Sequence, residues 1–515
     1  MGGGAVHAKM TSRGLGCFIV CLAPQRLNVF GLMIDFQFSA ADPETWVGQQ
    51  LDGATLGDPR RQQRAQTIAA AMARQPGVSF PQMFERKYDI DATYAFLQRP
   101  EATPANIQAG HRQQVLQAAA APGDTVLFLE DGSQLIWNAR APIAGLGPLG
   151  TGHKGEQGFI LHSVLSVRWP GLEALEPGQR RPAVEVLGLA DQQYHVRQAR
   201  PPDRPKGQTR RDAVREFESQ LWERAGEHLG PAPAGVRWVR VDDREADIYE
   251  YLVSCQALGH GFVVRAAYDR KLEDEQGQAA GKLFEVARAL APLGEFDLLL
   301  RARAGQAART ARLSVACAAV RLRSPQRPGH GAGSQPPIVC TVVRVWEAEP
   351  PEGVAGLEWM LLTDAVVERY EQALEVALQY GCRWLIEEFH KGLKTGLGAE
   401  RLQLEQAGRL FAAIALMSLV ALRLIDLREA VRVEPEAPAE QAGLSALELA
   451  VLRVRLKRPI GTVREVALAI GRLGGHMNRK SDGLPGWQTL WRGMKVLELL
   501  VQGVNLYEEL ETFQV

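Results

Sequence analysis

The sequence predicts an α/β protein whose mixed sheet is flanked by helical segments at both ends of the chain. Three observations carry that prediction. Apolar residues recur at helical spacing between Trp46 and Phe96, short β-branched runs begin at Asp124, and helical spacing returns after Arg401. A chain of 515 residues also exceeds one ordinary core, so two to four domains are expected.

Taken in order, Asp42-Pro43 starts a helix holding Trp46 and Leu51. The turn Gly57-Asp58-Pro59-Arg60-Arg61 feeds a second helix over Gln62–Arg74, and a third covers Ile90–Gln98. Cations outnumber acids here, with Arg60, Arg61 and Arg64 prominent, so residues 43–118 read as a small helical domain with a basic surface. Thr125–Glu130, Gln134–Trp137, Phe159–Val167, Ala183–Leu189 and Val236–Val241 follow as short strands separated by Gly and Pro, with a helix from about Arg210 to Leu229 before the last. Further strands are expected at Phe262–Ala266, Leu313–Leu322, Ile338–Val345 and Met360–Thr363. Pro201–Arg211 and Ser324–Pro337 read as loops. The remainder is helical over Leu402–Leu427, Leu444–Arg455, Val463–Arg472 and Trp487–Glu509, broken by a Glu/Pro/Ala loop at 433–442.

Apolar content of 46% and charged content of 23% describe a globular protein. Net charge is zero, which neither advertises nucleic-acid binding nor excludes local basic patches. Cys17, Cys21, Cys255, Cys317, Cys340 and Cys382 form no C-x2-C pair, so no zinc site or disulfide framework is expected, and a reducing cytoplasm is. The apolar run Leu15–Leu22 is short and interrupted by Pro24, Gln25 and Arg26, so no membrane span is expected. Residues 1–40 are expected to be an extension without function, with translation starting at Met33.

The stretch from Tyr380 to Lys394 concentrates chemistry. At about 100° per residue, Tyr380, Arg383, Glu387 and Lys394 fall within roughly 60°, with Lys391 beside them, while Leu385, Ile386, Phe389 and Leu393 line the opposite side. Gly381 leaves open whether Tyr380 lies inside the helix. A solvated face of i,i+4 ion pairs explains such a pattern, and so does a metal-holding carboxylate among phosphate-gripping cations. One carboxylate needs partners, and acids stand where two strands end: Glu130-Asp131 and Asp242-Asp243. Alternation along the strands does not choose within either pair, and Asp243 is equally suited to capping the following helix.

The spacing Tyr-x2-Arg-x3-Glu-x6-Lys, set among Trp384, Glu388, Phe389, His390 and Lys391, resembles the signature of IS-four-family DDE transposases. Further similar blocks are Gly-Asp-Pro-Arg-Arg-x-x-Arg from Gly57, Thr-Tyr-x-Phe-Leu from Thr93, Leu-Glu-Asp131, Asp243-Arg-Glu-Ala-Asp, Phe-Val-Val-Arg265, Glu-Trp359-Met-Leu-Leu-Thr, and Gly471 through Trp491. The resemblance implies a ribonuclease H-like core, an order of elements that the strands and helices above match without requiring it. It implies a catalytic triad of Asp131, Asp243 and Glu387, drawn from positions 112 and 144 residues apart. Three carboxylates favour Mg²⁺, with Mn²⁺ able to substitute. Tyr380, Arg383, Lys394 and Arg265 would hold phosphates, Trp359 would stack on a base flipped out during hairpin formation, and Arg60, Arg61 and Arg64 would lie on the end-binding domain.

The domains then expected are 43–118 for binding transposon ends, 119–405 for catalysis with a β-rich insertion at about 268–362, and a helical dimerisation region at 406–515. The function implied is cut-and-paste transposition through a DNA hairpin, in the bacterial cytoplasm on the nucleoid. Its partners would be transposon-end and target double-stranded DNA and a second copy of the chain. A non-catalytic end-binding derivative, or a metal-dependent nuclease without strand transfer, is the alternative. Gln98-Arg99 and parts of 268–355 depart from the family pattern, which bears on the DNA sequence read and not on the reaction.

Overall fold

The computed structural model describes residues 43–138, 142–149, 156–175, 181–198, 218–300, 308–325, 335–479 and 482–513. The proposed extension at 1–40, the start at Met33, Cys17 and Cys21, the loop Pro201–Arg211 and residues 210–217 of the expected helix lie outside them.

Five helices open the described chain: α1 (Pro43–Gln50), α2 (Pro59–Arg74), α3 (Phe80–Met83), α4 (Lys87–Leu97) and α5 (Pro104–Ala118). Asp58 caps α2 by accepting the Arg60 N–H at 2.7 Å, with Pro59 in the first turn. Sequence reading named no helix at α5, although Thr103-Pro104 is a start signal of the same kind, with the Thr103 hydroxyl accepting from the Asn106 N–H. The polar run Gln-Ala-Gly-His-Arg-Gln-Gln masked its period.

The sheet follows, with strands β1 (Thr125–Asn138), β2 (Gly147–Pro148), β3 (Glu156–Trp169) and β4 (Glu185–His195), helix α6 (Gln220–Leu229), β5 (Arg237–Asp242), α7 (Tyr249–Ala257) and β6 (Gly261–Arg265). Two strands expected at 125–130 and 134–137 are one. The polar Asp131-Gly132-Ser133 between them suggested a turn, but β3 pairs without a break from Thr125↔Trp169 to Asn138↔Glu156 and holds them extended. β3 is antiparallel to β1 and β4, whereas β5 pairs parallel with both β1 and β6. The order β4-β3-β1-β5-β6, three antiparallel strands and then two parallel ones, is the ribonuclease H-like arrangement that the element order suggested.

Strands β7 (Lys271–Glu273) and β8 (Ala279–Lys282), helix α8 (Leu283–Arg288), and β9 (Gly294–Leu300), β10 (Arg309–Leu322), β11 (Ile338–Glu347) and β12 (Glu358–Thr363) make up the β-rich segment. It extends the same sheet, because β12 pairs antiparallel with β6 and twelve strands join. Helices α9 (Tyr370–Gly381), α10 (Trp384–Lys391), α11 (Ala407–Val433), α12 (Ala446–Leu456), α13 (Val463–Leu473) and α14 (Trp487–Phe513) complete the chain. Among the described residues no helix is long and apolar enough to cross a membrane.

Alternation divides the buried strand residues between two faces. Leu127, Leu129, Val241, Val263 and Leu361 share a core with Ile386 and Phe389 of α10 and with Ile68 and Phe96 of the N-terminal helices. On the other face, Phe128 and Trp238 pack with Ala225 and Leu229 of α6. Of the N-terminal helices, α5 packs on β4, while α2 and α4 pack against α11, which itself lies on β4.

One polar clasp secures that docking. The backbone N–H of Leu189 donates to Nε2 of His111 at 3.0 Å, so Nδ1 carries the proton and donates to Gln50 Oε1 at 2.7 Å. Gly188 sits at φ 129°, and a Cβ there would lie 2.7 Å from the His111 ring. Burial pushes His111 down to about 3 from an ordinary 6.5. Between those values the unfolded chain binds a proton that the folded one does not. The stability held by His111 is thus complete above pH 6.5 and falls by about 1.4 kcal/mol per pH unit on acidification towards 3. His162 and His260, depressed by burial to about 3 and about 4, add the same trend. A His111→Gln variant should lose about 2 kcal/mol less than the unaltered chain between pH 6.5 and 5 in urea unfolding; parallel curves would remove His111 from the acid response.

Candidate active site

The strand registers assemble one row of polar residues. β1 and β5 pair up to Leu129↔Val241, and β5 and β6 up to Asp242↔Val264. Asp243 is still extended, at φ −87° and ψ −162°. Continuing each register sets Asp131 beside Asp243 and Asp243 beside Arg265. Asp131 pairs with Ser163 on β3, and Arg265 with Leu361 on β12. On that continuation Ser163, Asp131, Asp243 and Arg265 form one row on the face covered by α10, with Asp243 one residue beyond the end of β5.

Their chain neighbours face the other way. Glu130 is 0% exposed and paired with Arg240, and Asp242 is buried and accepts the Tyr251 hydroxyl at 2.6 Å. Burial and the neighbouring Glu130 raise the Asp242 carboxyl well above its ordinary range. Asp131, by contrast, keeps 20% of its side chain exposed. The pleat therefore puts the two members of each acid pair on opposite faces, Glu130 and Asp242 in the interior. Asp243 also caps, its Oδ1 accepting the Glu245 N–H at 2.8 Å. Burial and the Asp243 and Asp131 carboxylates raise Glu245 above its ordinary value.

The Tyr380–Lys394 stretch is not one helix. Tyr380 is buried at the end of α9, Arg383 is the N-cap of α10, Glu387 lies in its first turn, and Lys394 sits on a π-helical turn, Gly392–Gly396. Arg383 ion-pairs with Glu387, whose side chain is 34% exposed, and its guanidinium lies 5.8 Å from the Tyr380 ring centre. Burial opposes the Arg383 charge, but Tyr380, Glu387 and Asp131 outweigh it and hold the group above its ordinary value. His390, one turn on, places Nδ1 3.8 Å from Asp131 and Nε2 3.1 Å from the Ser163 hydroxyl. His390 and Arg383, the latter holding Glu387, thereby stand at the Ser163–Asp131 end of the row. Sequence reading assigned no role to His390, Ser163 or Glu245. The i,i+3 spacing of Glu387 and His390 was the signal for the first, and only the strand pairing reveals the second.

Lys394 ties the π-turn back to β1, donating to the Gln134 carbonyl at 2.7 Å and lying 3.5 Å from Glu400. Arg265 donates to the Glu358 carbonyl at 3.1 Å. Trp359 is half-buried, its ring centre 5.9 Å from that of Tyr380 at 54°. Trp359, Tyr380, Arg383 and Glu387 therefore run as a continuous line towards Asp131.

Asp131, Asp243 and Glu387 offer oxygen alone, a donor set suited to a hard cation. In the arrangement described, Glu387 is engaged by Arg383, and among the described residues no three His, Cys, Asp or Glu side chains form a closed metal-holding group.

On the N-terminal helices, Arg60 is exposed, whereas two neighbouring cations are committed internally. Arg61 pairs with Glu101 at 2.8 Å and Arg64 with Asp89 at 2.8 Å. Arg60→Ala should lower the salt dependence of DNA binding by about one counterion without lowering the melting point. Equal salt slopes for the variant and the unaltered chain would take Arg60 out of the interface. Arg64→Ala, by contrast, should also loosen α4.

Residues 43–102 match the family model described as transposase DNA-binding, so the chain carries a DNA-binding segment of transposase type. Among solved structures, the chain is similar to the piggyBac transposase in a cryo-EM synaptic complex with hairpin DNA. Identity is 8% over 91% of this chain and 81% of that one, with a TM-score of 0.31. A likeness that slight carries neither the fold nor the site described above.

Proposed function

We propose that this chain is a cut-and-paste DDE transposase of the IS-four type, similar to that of the composite transposon Tn-five. What supports the proposal is the α10 face, where continuing the β1–β5 register sets Asp131 beside Asp243, and where Arg383, paired with Glu387, feels the Asp131 charge. The transposase-type segment at 43–102 supplies the DNA.

In this reading Asp131, Asp243 and, once released from Arg383, Glu387 would hold Mg²⁺, or Mn²⁺ in its place. The ions would supply activation of the attacking oxygen and stabilisation of the leaving oxygen in an in-line phosphoryl transfer. Arg383, once released, turns its guanidinium to a DNA phosphate beside Tyr380. Arg265 and Lys394 flank the same strand, and Trp359 receives an extruded base. Water attacks first, freeing a 3′-hydroxyl. That hydroxyl attacks the opposite strand, closing a hairpin and expelling the flanking DNA; a second water opens the hairpin, and the regenerated 3′-hydroxyl attacks a target phosphodiester and displaces its 3′-oxygen. No covalent protein–DNA link is needed.

A second copy of the chain is the expected partner in the synaptic complex. Val496, Leu499, Leu506 and Leu510 are exposed on α14 and fall within about 80° of one another, a stripe suited to a helix–helix contact. The place of action is the bacterial cytoplasm, on the nucleoid.

The test is a labelled duplex carrying the element's terminal repeat, incubated with the full chain and Mg²⁺. Nicked, hairpin and target-joined products in sequence are expected. Binding without cleavage would make the chain an end-binding derivative, and cleavage without joining would make it a nuclease.

A further inference from the structure

Behind the acid row, on the opposite face of the sheet, lies a charged cluster that the reaction above does not use. Arg240 of β5 is fully buried. Its Nε and Nη2 grip both oxygens of Glu130 on β1, the second contact at 2.6 Å. Nη2 also donates to the Trp222 carbonyl of α6 at 2.7 Å, and the guanidinium lies 4.8 Å from the Tyr251 ring centre. Tyr251, on α7, donates to Asp242 at 2.6 Å. His162 of β3 places Nε2 3.8 Å from Glu130. Gly226 leaves the room: a Cβ there would stand 2.6 Å from Arg240 Nη1.

Glu130 and Asp242 are the chain neighbours of Asp131 and Asp243. Since side chains alternate along a strand, whatever fixes the backs of these two residues fixes the aim of the carboxylates in front. We propose that Arg240 is a positioning residue for the acid pair: by clamping Glu130 across the β1–β5 seam, and Asp242 through Tyr251, it sets the separation and direction of Asp131 and Asp243. The inference rests on the carboxylates being metal ligands.

A purely structural ion pair would behave differently. Replacing a buried pair by apolar residues of similar volume commonly preserves folding. The double variant Glu130→Leu/Arg240→Met should therefore melt and bind end DNA much as the unaltered chain does. Its Mn²⁺ half-saturation, read by electron paramagnetic resonance on the DNA complex, should rise by about 10- to 100-fold, the usual loss when the residue behind a ligand is removed. Nicking at low metal should fall in step and recover at high metal. Glu130→Gln, which keeps the shape and one acceptor, provides the reading should the double variant not fold, with a smaller rise in the same direction. Unchanged Mn²⁺ binding and nicking in a folded variant would overturn the positioning role. Absence of Mn²⁺ binding by the unaltered chain would instead overturn the ligand assignment itself.

Discussion

Glu387→Gln protein is expected to bind transposon-end DNA undiminished and to fail to nick it in Mg²⁺, the largest effect that follows from the proposed function. The amide matches the carboxylate in shape and still offers an oxygen to Arg383, so α10 keeps its place over the sheet. What disappears is a charge. Losing a residue behind a metal ligand costs roughly 10- to 100-fold, and losing an anionic ligand itself should cost more than about 100-fold in nicking. Gel-shift affinity measured beside single-turnover nicking separates the two steps. Nicking within tenfold of the unaltered rate would sink the triad.

Trp359→Ala should spare the nick and stall the hairpin. The first cut leaves the duplex nearly straight, whereas closing a blunt hairpin bends the terminus sharply and extrudes a base. Stacking on an indole stabilises such a base by about 1–3 kcal/mol. At about 1.4 kcal/mol per decade, its loss slows closure by roughly ten- to a hundred-fold, and nicked ends accumulate. The ring is suitably placed, since it is half-buried against Tyr380 in the line that ends at Glu387. Were Trp359 only a packing residue, nicking and closure would fall together and the melting temperature with them. A time course on labelled end DNA, run beside a melting curve, distinguishes these outcomes.

Much of this protein is determined by local sequence. Asp58-Pro59 starts α2, the apolar runs at 159–167 and 313–322 form strands, and helices occupy the segments after Arg401, because each signal acts over a few residues. The Tyr-x2-Arg-x3-Glu-x6-Lys string likewise marked a segment whose polar side chains engage one another and β1, through the Arg383–Glu387 pair and the Lys394 bond to Gln134.

Tertiary structure decided the rest. Asp131-Gly132-Ser133 is strand and not turn, because fourteen consecutive pairings with β3 outweigh local turn preference. Glu130 and Asp242 face the buried Arg240 while Asp131 and Asp243 face α10, a division that depends on which side of the sheet each helix covers. The helix divides after Gly381, a question the sequence left open, and Tyr380 is buried against Trp359. Arg64, expected on the end-binding domain, is ion-paired with Asp89, twenty-five residues away in the chain. The physical reason is common to all four: a residue's neighbours along the chain fix its backbone preference, but its charge partner and its face are set by segments that meet it only after folding.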